Sequence, residues 1–225
     1  VQTGRSFGRG DKRLLLSIRS GAAISMPGMM DTVLNLGIDA PGEAALAAET
    51  GLPEFAADTQ RRFRELYSAI VLKAPDDPDA AIPADVRSQL LGAVEAVFDS
   101  WNTRRARRYR EHNGIAHDLG TAVTVQAMVF GNLDETSGTG VLFSRNPLSG
   151  DPAPYGEYLP RAQGEDVVSG KFTPLSLEAM NDHVPQAHAA LLAASAMLER
   201  ENGDVQDIEF TVQSGRLYLL QSRSA

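Results

Sequence analysis

The sequence predicts an α+β fold, in which a β core is interrupted by a long helical segment. From Gly42 to about Gly114, helix-forming residues follow an amphipathic spacing. From Thr121 onward strand-like runs dominate, and the last two are joined at "QSGR" as a hairpin. Strands gathered apart from a run of helices are typical of α+β domains.

The elements before the helical segment are short. Leu14–Ser20 has the aliphatic density of a buried strand. A Met-rich stretch, Met26–Met30, follows it, and Asp31 is expected to cap a short helix, "TVLNLG", that ends at Gly37. Helices are then predicted over 42–51, 54–73, 84–101 and 103–112. The Pro-Asp-rich patch "KAPDDPDAAIP" separates the second from the third.

The C-terminal half is predicted to be mainly β. "TAVTVQAMVFG" and "GTGVLFSRNP" are strand-like runs separated by a loop, "NLDETSG". The next stretch, "YGEYLPRAQGEDVVSG", is rich in turns. Two helices, over 174–181 and 184–202, lead into the final hairpin of "VQDIEFTV" and "LYLLQSR".

Composition excludes several classes of function. The 225 residues, 43% of them hydrophobic, can bury a sizeable core, and a net charge of -8 argues against nucleic-acid binding. The lack of cysteine excludes disulfides, thiolate metal sites and cysteine nucleophiles, and it fits a reducing compartment. No apolar run approaches the ~20 residues that cross a bilayer, and the N-terminus lacks a signal-peptide core, so a cytoplasmic protein is expected.

The final hairpin is the best candidate site. Asp207 and Glu209 are two residues apart on a strand, so both carboxylates project from one face, and Gln221 and Arg223 share a face of the partner strand. Carboxylates suit Mg²⁺ and a guanidinium suits phosphate. Alternating polar residues are also the rule on the solvated face of an antiparallel sheet, and the pattern alone favours that second interpretation.

The length of the hairpin loop determines which of these residues converge. A two-residue loop, Ser214–Gly215, would place Gln221 opposite Ile208 on the apolar face, which the cost of burying an amide disfavours. A three-residue loop, Gln213–Gly215, places Gln221 opposite Asp207 instead. We therefore predict the three-residue loop, with positive φ at Gly215 in a bulge.

Arg19 is a second candidate. It ends the first strand and precedes four small residues, Ser20–Ala23, which allow a backbone to approach an anion closely. A salt bridge at a strand end is the alternative, and the pattern leaves the two open.

Several segments resemble the N-terminal ATP-binding domain of the pyruvate, phosphate dikinase family. They occur in order along nearly the whole chain: "SIRSGAAISMPGMMDTVLNLG", "RRFRELYS", "GAVEAVFDSW", "GTAVTVQAMVFGN", "ETSGTGVLFSRNP", "YGEYLPRAQGEDVVSG" and "QDIEFTVQSGRLYLLQSRS". The resemblance implies an ATP-grasp-like fold with a mixed or antiparallel sheet and a helical insertion, incomplete at the N-terminus. It implies ATP and Mg²⁺ as cofactors.

The resemblance also implies roles for individual residues. Arg19 matches an arginine that binds the ATP phosphates, and Asp207 and Glu209 match metal-binding residues. The remaining matches are to nucleotide-binding positions: Gln126 and Met128 near the adenine, the loop pair Glu165 and Asp166, and Asp207, Gln221 and Arg223 on the hairpin. Met26–Met30 would form a mobile apolar cover that excludes water, with adaptable core filling as the alternative.

The same resemblance divides the chain and sets its expected role. Residues 1–38 and 84–127 would form the remainder of a first subdomain, 39–83 a helical insertion, and 128–225 a second subdomain. The expected function is an ATP-binding phosphotransfer module that positions Mg-ATP and phosphate for a histidine on another domain. The phosphohistidine and pyruvate-binding barrel domains have no counterpart here, so this chain is not expected to complete the reaction alone. The alternative is a catalytically silent remnant that acts as an interaction module.

Overall fold

A computed structural model describes residues 3–77, 80–168 and 172–225, so two residues of the Pro-Asp-rich patch, 78 and 79, lie outside it. The chain divides into two compact units, Val1–Met128 and Val129–Ala225. Each unit combines helices with its own antiparallel sheet, and the predicted α+β class is confirmed. Within the described ranges, no helix is both long enough and apolar enough to cross a membrane.

The sheet of the first unit has three strands in the order β2-β1-β3, namely β1 (Leu16–Gly21), β2 (Val33–Leu36) and β3 (Ala122–Ala127). The helix predicted for "TVLNLG" is wrong, because β2 occupies that segment. Val33 pairs with Ile18 and Leu36 pairs with Leu16, and all four side chains are buried. Pairing with β1 buries both ends of this apolar segment, which overrides its weak helical signal.

Among the described residues between β2 and β3 there are four helices, with a 3₁₀ turn (His117–Leu119) after the last. They are α1 (Ala40–Thr50), α2 (Pro53–Ile70), α3 (Val86–Ser100) and α4 (Arg104–His112). All four predicted helices are confirmed, with ends shifted by up to three residues. Side-chain caps explain three of the starts, because Asp39, Asp85 and Thr103 accept hydrogen bonds from the first-turn amides of α1, α3 and α4.

Helix α2 shows how the helical segment joins the sheet. Its buried side chains Phe55, Thr59, Phe63 and Tyr67 recur every four residues and so lie on one face, and α2 packs on β2. The rings of Phe63 and Tyr67 have centroids 5.4 Å apart in a tilted arrangement. The amphipathic spacing in the sequence is therefore the packing face of this helix.

The second unit has a five-stranded sheet in the order β6-β5-β4-β7-β8. Its elements are β4 (Gly138–Phe143), β5 (Tyr155–Pro160), α5 (Gly164–Val168), β6 (Leu175–Ser176), α6 (Leu177–His183), α7 (Pro185–Asn202), β7 (Gln206–Gln213) and β8 (Arg216–Ser224). The stretch that is rich in turn-forming residues also contains β5 and α5, two elements that the sequence did not predict. The full-length ladder between β5 and β4, which buries Tyr158 and Leu159, outweighs the local turn signals.

Helices α6 and α7 cover one face of this sheet. The buried cluster beneath them contains Leu142, Tyr158, Leu177, Met180, Val184, Ala187, Leu191, Ile208, Phe210 and Val212. Two glycines of β4 make room for aromatic rings there. A Cβ on Gly138 would lie 2.2 Å from the hydroxyl of Tyr158, and one on Gly140 would lie 2.7 Å from the ring of Phe210. This face is devoted to packing, so any site on these strands lies on the opposite face.

Candidate functional site

The β7–β8 hairpin has one apolar and one polar face. Ile208, Phe210 and Val212 belong to the buried cluster of the second unit. Because successive strand residues alternate, Asp207 and Glu209 project from the face away from that cluster. The alternation predicted from the sequence is therefore observed on β7.

The turn of this hairpin differs from the prediction. Gln213 pairs with Arg216, so the loop has two residues, Ser214 and Gly215, whose φ angles are 49° and 76°. Positive φ at both positions is what a type I′ turn requires, and this turn follows the right-handed twist of the strands. The predicted three-residue loop is wrong, whereas the predicted positive φ at Gly215 is confirmed.

A β-bulge at Leu220, rather than a longer loop, brings the polar residues of β8 onto the same face as those of β7. Phe210 pairs with Leu219, but the next residue of β7, Glu209, pairs with Gln221, which leaves Leu220 as the extra residue. Beyond the bulge Asp207 pairs with Arg223, so the predicted pairing of Asp207 with Gln221 is wrong. Directly paired residues share a face, and the four polar residues of the hairpin therefore do lie on one side.

Asp207 and Arg223 form an ion pair on this polar face. Both Nε and Nη2 of Arg223 bind Oδ2 of Asp207, at 2.8 and 2.6 Å. The side chain of Asp207 keeps 11% of its exposure and that of Arg223 keeps 24%, so Asp207 is buried and Arg223 is mostly covered. The guanidinium of Arg223 covers the carboxylate of Asp207 and shields it from solvent.

Glu209 supplies the second carboxylate of the polar face. It lies half-buried opposite Gln221 on β8, with Val141 of β4 on its other side. The structure brings together no group of three or more histidine, aspartate or glutamate side chains suited to a metal within the described ranges. Two carboxylates nevertheless fit Mg²⁺, which commonly takes one or two from the protein and fills its remaining positions with phosphate oxygens and water.

The predicted acidic pair Glu165 and Asp166 lies on α5, which packs against β4 and β5. Asp166 is buried, and its Oδ2 accepts a hydrogen bond of 2.9 Å from the backbone of Gln163. One carboxylate oxygen of Glu165 is also buried. Gln221 and Arg223 lie on β8, which is separated from β5 by β4 and β7 in the sheet.

In the first unit the register brings Arg19 and Gln126 to the same face. Arg19 pairs with Thr124, and Ser17 pairs with Gln126. Residues two apart on a strand share a face, so all four side chains line one side of the β1–β3 ladder. Between them along β1, Ile18 is fully buried on the opposite side. Arg19 and Gln126 are both half-buried.

The predicted methionines occupy mixed positions. Met128 follows β3 directly, and its amide donates to the carbonyl of Leu15 at 2.9 Å. In the stretch Met26–Met30, Met26 is buried, while Met30 lies against α3 with its sulfur 3.8 Å from the hydroxyl of Ser100. Pro27 and Gly28 between them are exposed. Met26 and Met30 therefore hold the two ends of this segment, and its tip is exposed to solvent.

The sequence interpretation missed a group of hydroxyls and one carboxylate around the hairpin. Thr139 of β4 and Thr211 of β7 face each other with hydroxyls 3.2 Å apart, on the same side as Glu209. Asp134, in the segment taken as a plain loop, binds Ser214 of the hairpin turn. The pattern Asp-x-Thr-Ser in "NLDETSG" is a signal that could have found Asp134, since aspartate commonly binds the backbone two residues on.

Comparisons with known proteins identify the family. The sequence profile of the family described as "Pyruvate phosphate dikinase, AMP/ATP-binding domain" matches residues 2–185. The chain is 42% identical over 262 residues to pyruvate, phosphate dikinase of Clostridium symbiosum, and 45% identical over 261 residues to pyruvate, phosphate dikinase 2 of Zea mays. Chloroplastic pyruvate, phosphate dikinase 1 of Arabidopsis thaliana is 44% identical over 261 residues.

These three alignments each cover 98% of the chain but only 30%, 29% and 27% of the relatives. The chain thus spans under a third of the length of these proteins. The profile match ends before β7, whereas the alignments with the relatives extend over nearly the whole chain. Two antiparallel sheets with helices are consistent with the ATP-grasp-like fold that the sequence suggested. The chain belongs to the pyruvate phosphate dikinase AMP/ATP-binding domain family.

Proposed function

We propose that this chain is a phosphotransfer module that binds Mg-ATP and phosphate and positions them so that one phosphoryl group of ATP passes to a histidine on another domain. AMP and pyrophosphate are the other products of this step. A domain that carries this histidine and a pyruvate-binding barrel domain are the proposed partners. The family match supports nucleotide binding, and the share of the relatives that the chain covers supports the need for partner domains.

The observation that carries the proposal is the buried ion pair of Asp207 and Arg223 on the face of the sheet that the core does not use. Keeping two charges partly out of water costs free energy unless they are paired or bind a ligand. Glu209 and Gln221 lie beside them in the same register. An anionic ligand with its cation would meet complementary groups on this face, a guanidinium for a phosphate and carboxylates for the ion.

The individual roles follow from the chemistry of each group. Arg223 and Gln221 would bind phosphate oxygens, and Asp207 and Glu209 would hold Mg²⁺. When bound, the ion supplies neutralisation of negative charge on the phosphates. Arg19 would bind the triphosphate through charge-assisted hydrogen bonds.

The remaining predicted residues have supporting roles. Gln126 and Met128 would lie against the adenine base, where an amide and an adaptable thioether suit a flat heterocycle. Glu165 and Asp166 would be near the nucleotide. The buried carboxylate of Asp166 accepts a hydrogen bond from the backbone of Gln163, directly before α5. We therefore propose that Asp166 holds the start of this helix in place.

Calorimetric titration tests nucleotide binding directly. The chain should bind ATP more tightly with Mg²⁺ than with a chelator. Glu209→Gln, which keeps the shape of the side chain, should abolish that difference. The matched control is Glu201→Gln, at an exposed position on α7. Absence of any ATP binding by the parent chain would favour the silent interaction module instead.

A second experiment tests the transfer. A histidine-bearing domain, supplied in trans together with phosphate, should acquire a label from ATP that is radioactive in both its β- and γ-phosphates. The label should be stable in base and labile in acid, as phosphohistidine is. The label should require the parent chain and should be lost with Arg19→Ala. Binding of Mg-ATP without any labelling of the added domain would limit the function to nucleotide binding.

A further inference from the structure

Asp134 is the centre of a hydrogen-bond network that joins two distant parts of the second unit. Its Oδ1 accepts hydrogen bonds from the amide of Thr136 at 2.9 Å, the hydroxyl of Thr136 at 2.9 Å and the hydroxyl of Ser137 at 2.8 Å. Its Oδ2 accepts one from the hydroxyl of Ser214, 80 residues away, at 2.5 Å. The first three shape the loop before β4, and the fourth reaches the β7–β8 turn.

The same loop holds the turn through three further hydrogen bonds. The amide of Ser214 donates to the hydroxyl of Ser137 at 2.9 Å, and the amide of Gly215 donates to the carbonyl of Thr136 at 2.9 Å. Just before the turn, the side-chain oxygen of Gln213 accepts from the amide of Phe130 at 2.8 Å. Each residue from Gln213 to Gly215 is therefore bound to the segment 130–137.

The turn needs this support because of the residue at its first central position. Ser214 has a φ of 49°, in the left-handed region that glycine or asparagine usually occupies in type I′ turns. A side chain with a Cβ is strained there, and such conformations persist where the surroundings over-determine them. The local sequence "QSGR" is compatible with a longer loop as well, and the contacts from the segment 130–137 hold the two-residue turn.

The choice of turn reaches the polar face through the ladder. With the two-residue turn and the bulge at Leu220, Glu209 pairs with Gln221 and Asp207 pairs with Arg223. A loop longer by one residue would shift every pair along β8 by one position. Asp207 would then no longer lie opposite Arg223, although neither residue contacts the turn.

We propose that Asp134 is a positioning residue for the candidate site, which fixes the β7–β8 turn and thereby the register that pairs Asp207 with Arg223. The register part of this inference stands on the structure alone. Its consequence for ATP rests on the proposed function. The role is one of positioning, because Asp134 acts on the site through Ser214 and the strands.

The ionisation of Asp134 agrees with this role. Burial raises the pKa of this carboxyl, but hydrogen bonds from Ser214, Ser137 and Thr136 more than offset that effect, so its pKa lies below the ordinary value. A carboxyl whose pKa is lowered on folding stabilises the fold above its unfolded pKa, about 4, and loses this contribution as the pH falls through the folded pKa. The hydrogen-bond network around Asp134 is therefore complete at neutral pH and weakens only in acid.

Nuclear magnetic resonance on the full chain separates positioning from general stability. Asp134→Ala should raise the exchange rate of the Gly215 amide about tenfold and weaken the cross-strand contacts of Glu209 with Gln221. Asp134→Asn should restore both, since its amide oxygen can accept from Thr136 and Ser137 while its NH₂ donates to Ser214. The matched control is Glu135→Ala, which removes the neighbouring, largely exposed carboxylate paired with Arg161.

Each result decides the proposal. Unchanged Gly215 exchange and unchanged cross-strand contacts in Asp134→Ala would overturn it, as would equal changes in Glu135→Ala. If Asp134→Ala does not fold, Ser214→Ala removes only the contact with Oδ2. That variant should also raise the exchange rate of the Gly215 amide. A rate equal to that of the parent would refute the role of Asp134 in fixing the turn.

Nucleotide binding gives an independent readout. Asp134→Ala should weaken Mg-ATP binding about tenfold and Asp134→Asn much less, because the register sets the distance between the paired groups of the site. If the parent binds no ATP, the proposed function fails while the exchange data still decide the register. If the parent binds ATP and the register shifts without any loss of affinity, the positioning role is refuted.

Discussion

Arg223 binds a single carboxylate oxygen of Asp207 with two nitrogens, Nε at 2.8 Å and Nη2 at 2.6 Å, across the β7–β8 ladder. The pair exists because Leu220 is bulged out of β8. Without that bulge Arg223 would lie one position out of phase with Asp207. The most polar part of the hairpin thus depends on a backbone irregularity three residues from the arginine.

This ion pair should stabilise the fold more than an exposed ion pair does. In a double-mutant cycle of Asp207→Ala and Arg223→Ala, we expect a coupling free energy of unfolding of about 1–3 kcal/mol, because each partner alone is left poorly hydrated. The matched cycle on Glu135 and Arg161, which are far more exposed, should give about 0–1 kcal/mol. Urea unfolding measures both cycles, and equal couplings would contradict the role of burial.

Arg19→Ala should weaken binding of the triphosphate far more than it lowers stability. A charge-assisted hydrogen bond contributes about 1.5–3 kcal/mol, which corresponds to roughly a 10–100-fold loss of affinity. Arg104→Ala, at an exposed position on α4, is the control and should bind ATP as the parent does. Calorimetry and thermal melting check the two effects. Early melting together with parent-like affinity would show that Arg19 is structural.

Two single-residue deletions should separate the bulge from the register. Deleting Leu220 leaves Gln221 next to Leu219, so Glu209 still faces Gln221 in a regular ladder, and Mg-ATP affinity should stay within about threefold of the parent. Deleting Ser222 moves Arg223 opposite Ile208, onto the apolar face, and affinity should fall at least about tenfold.

Calorimetric titration of both deletion variants checks the register argument, with circular dichroism to confirm that each folds. Equal Mg-ATP affinities of the two variants would show that the face of the sheet on which Arg223 lies does not affect ligand binding. A large loss in the Leu220 deletion alone would mean that the bulge itself, rather than the pairing beyond it, shapes the site.

Tyr158 should ionise only at strongly alkaline pH. Burial raises its pKa from 10.0 to about 12, and the negative charge of Asp134 adds to the shift. Because the folded pKa exceeds the unfolded one, the unfolded chain binds fewer protons between these values, so stability should fall as pH rises from about 10 to 12. Phenolate absorbance should show late-titrating tyrosines, and Tyr158→Phe should remove one of them. The signal that stays is expected from Tyr67, because burial raises the pKa of that side chain as well. Ionisation of Tyr158 near the ordinary tyrosine pKa of about 10 would refute this burial effect.

The alternation in "QDIEFTV" was enough to predict two unlike faces on β7, because the side-chain period of a strand is a property of the backbone. Helix starts at Asp39, Asp85 and Thr103 are similarly local, since a capping side chain binds amides only two or three residues away. The ordered family motifs predicted the family, which the comparisons confirm. The roles of the site residues and the subdomain boundaries stay predictions.

The errors all concern choices that local sequence leaves nearly equal in energy. "TVLNLG" became a strand because β1 offered it a buried pairing, and the segment containing β5 became ordered because β4 did the same. The hairpin took a two-residue turn, held by contacts from Asp134, and placed its extra residue at Leu220 instead. Periodicity, capping and motif order were determined by the sequence by itself, because they involve neighbours along the chain. The turn, and with it the register, was decided only by the tertiary structure, because the hydrogen bonds that hold Ser214 join it to residues 77 and 80 positions away in the sequence.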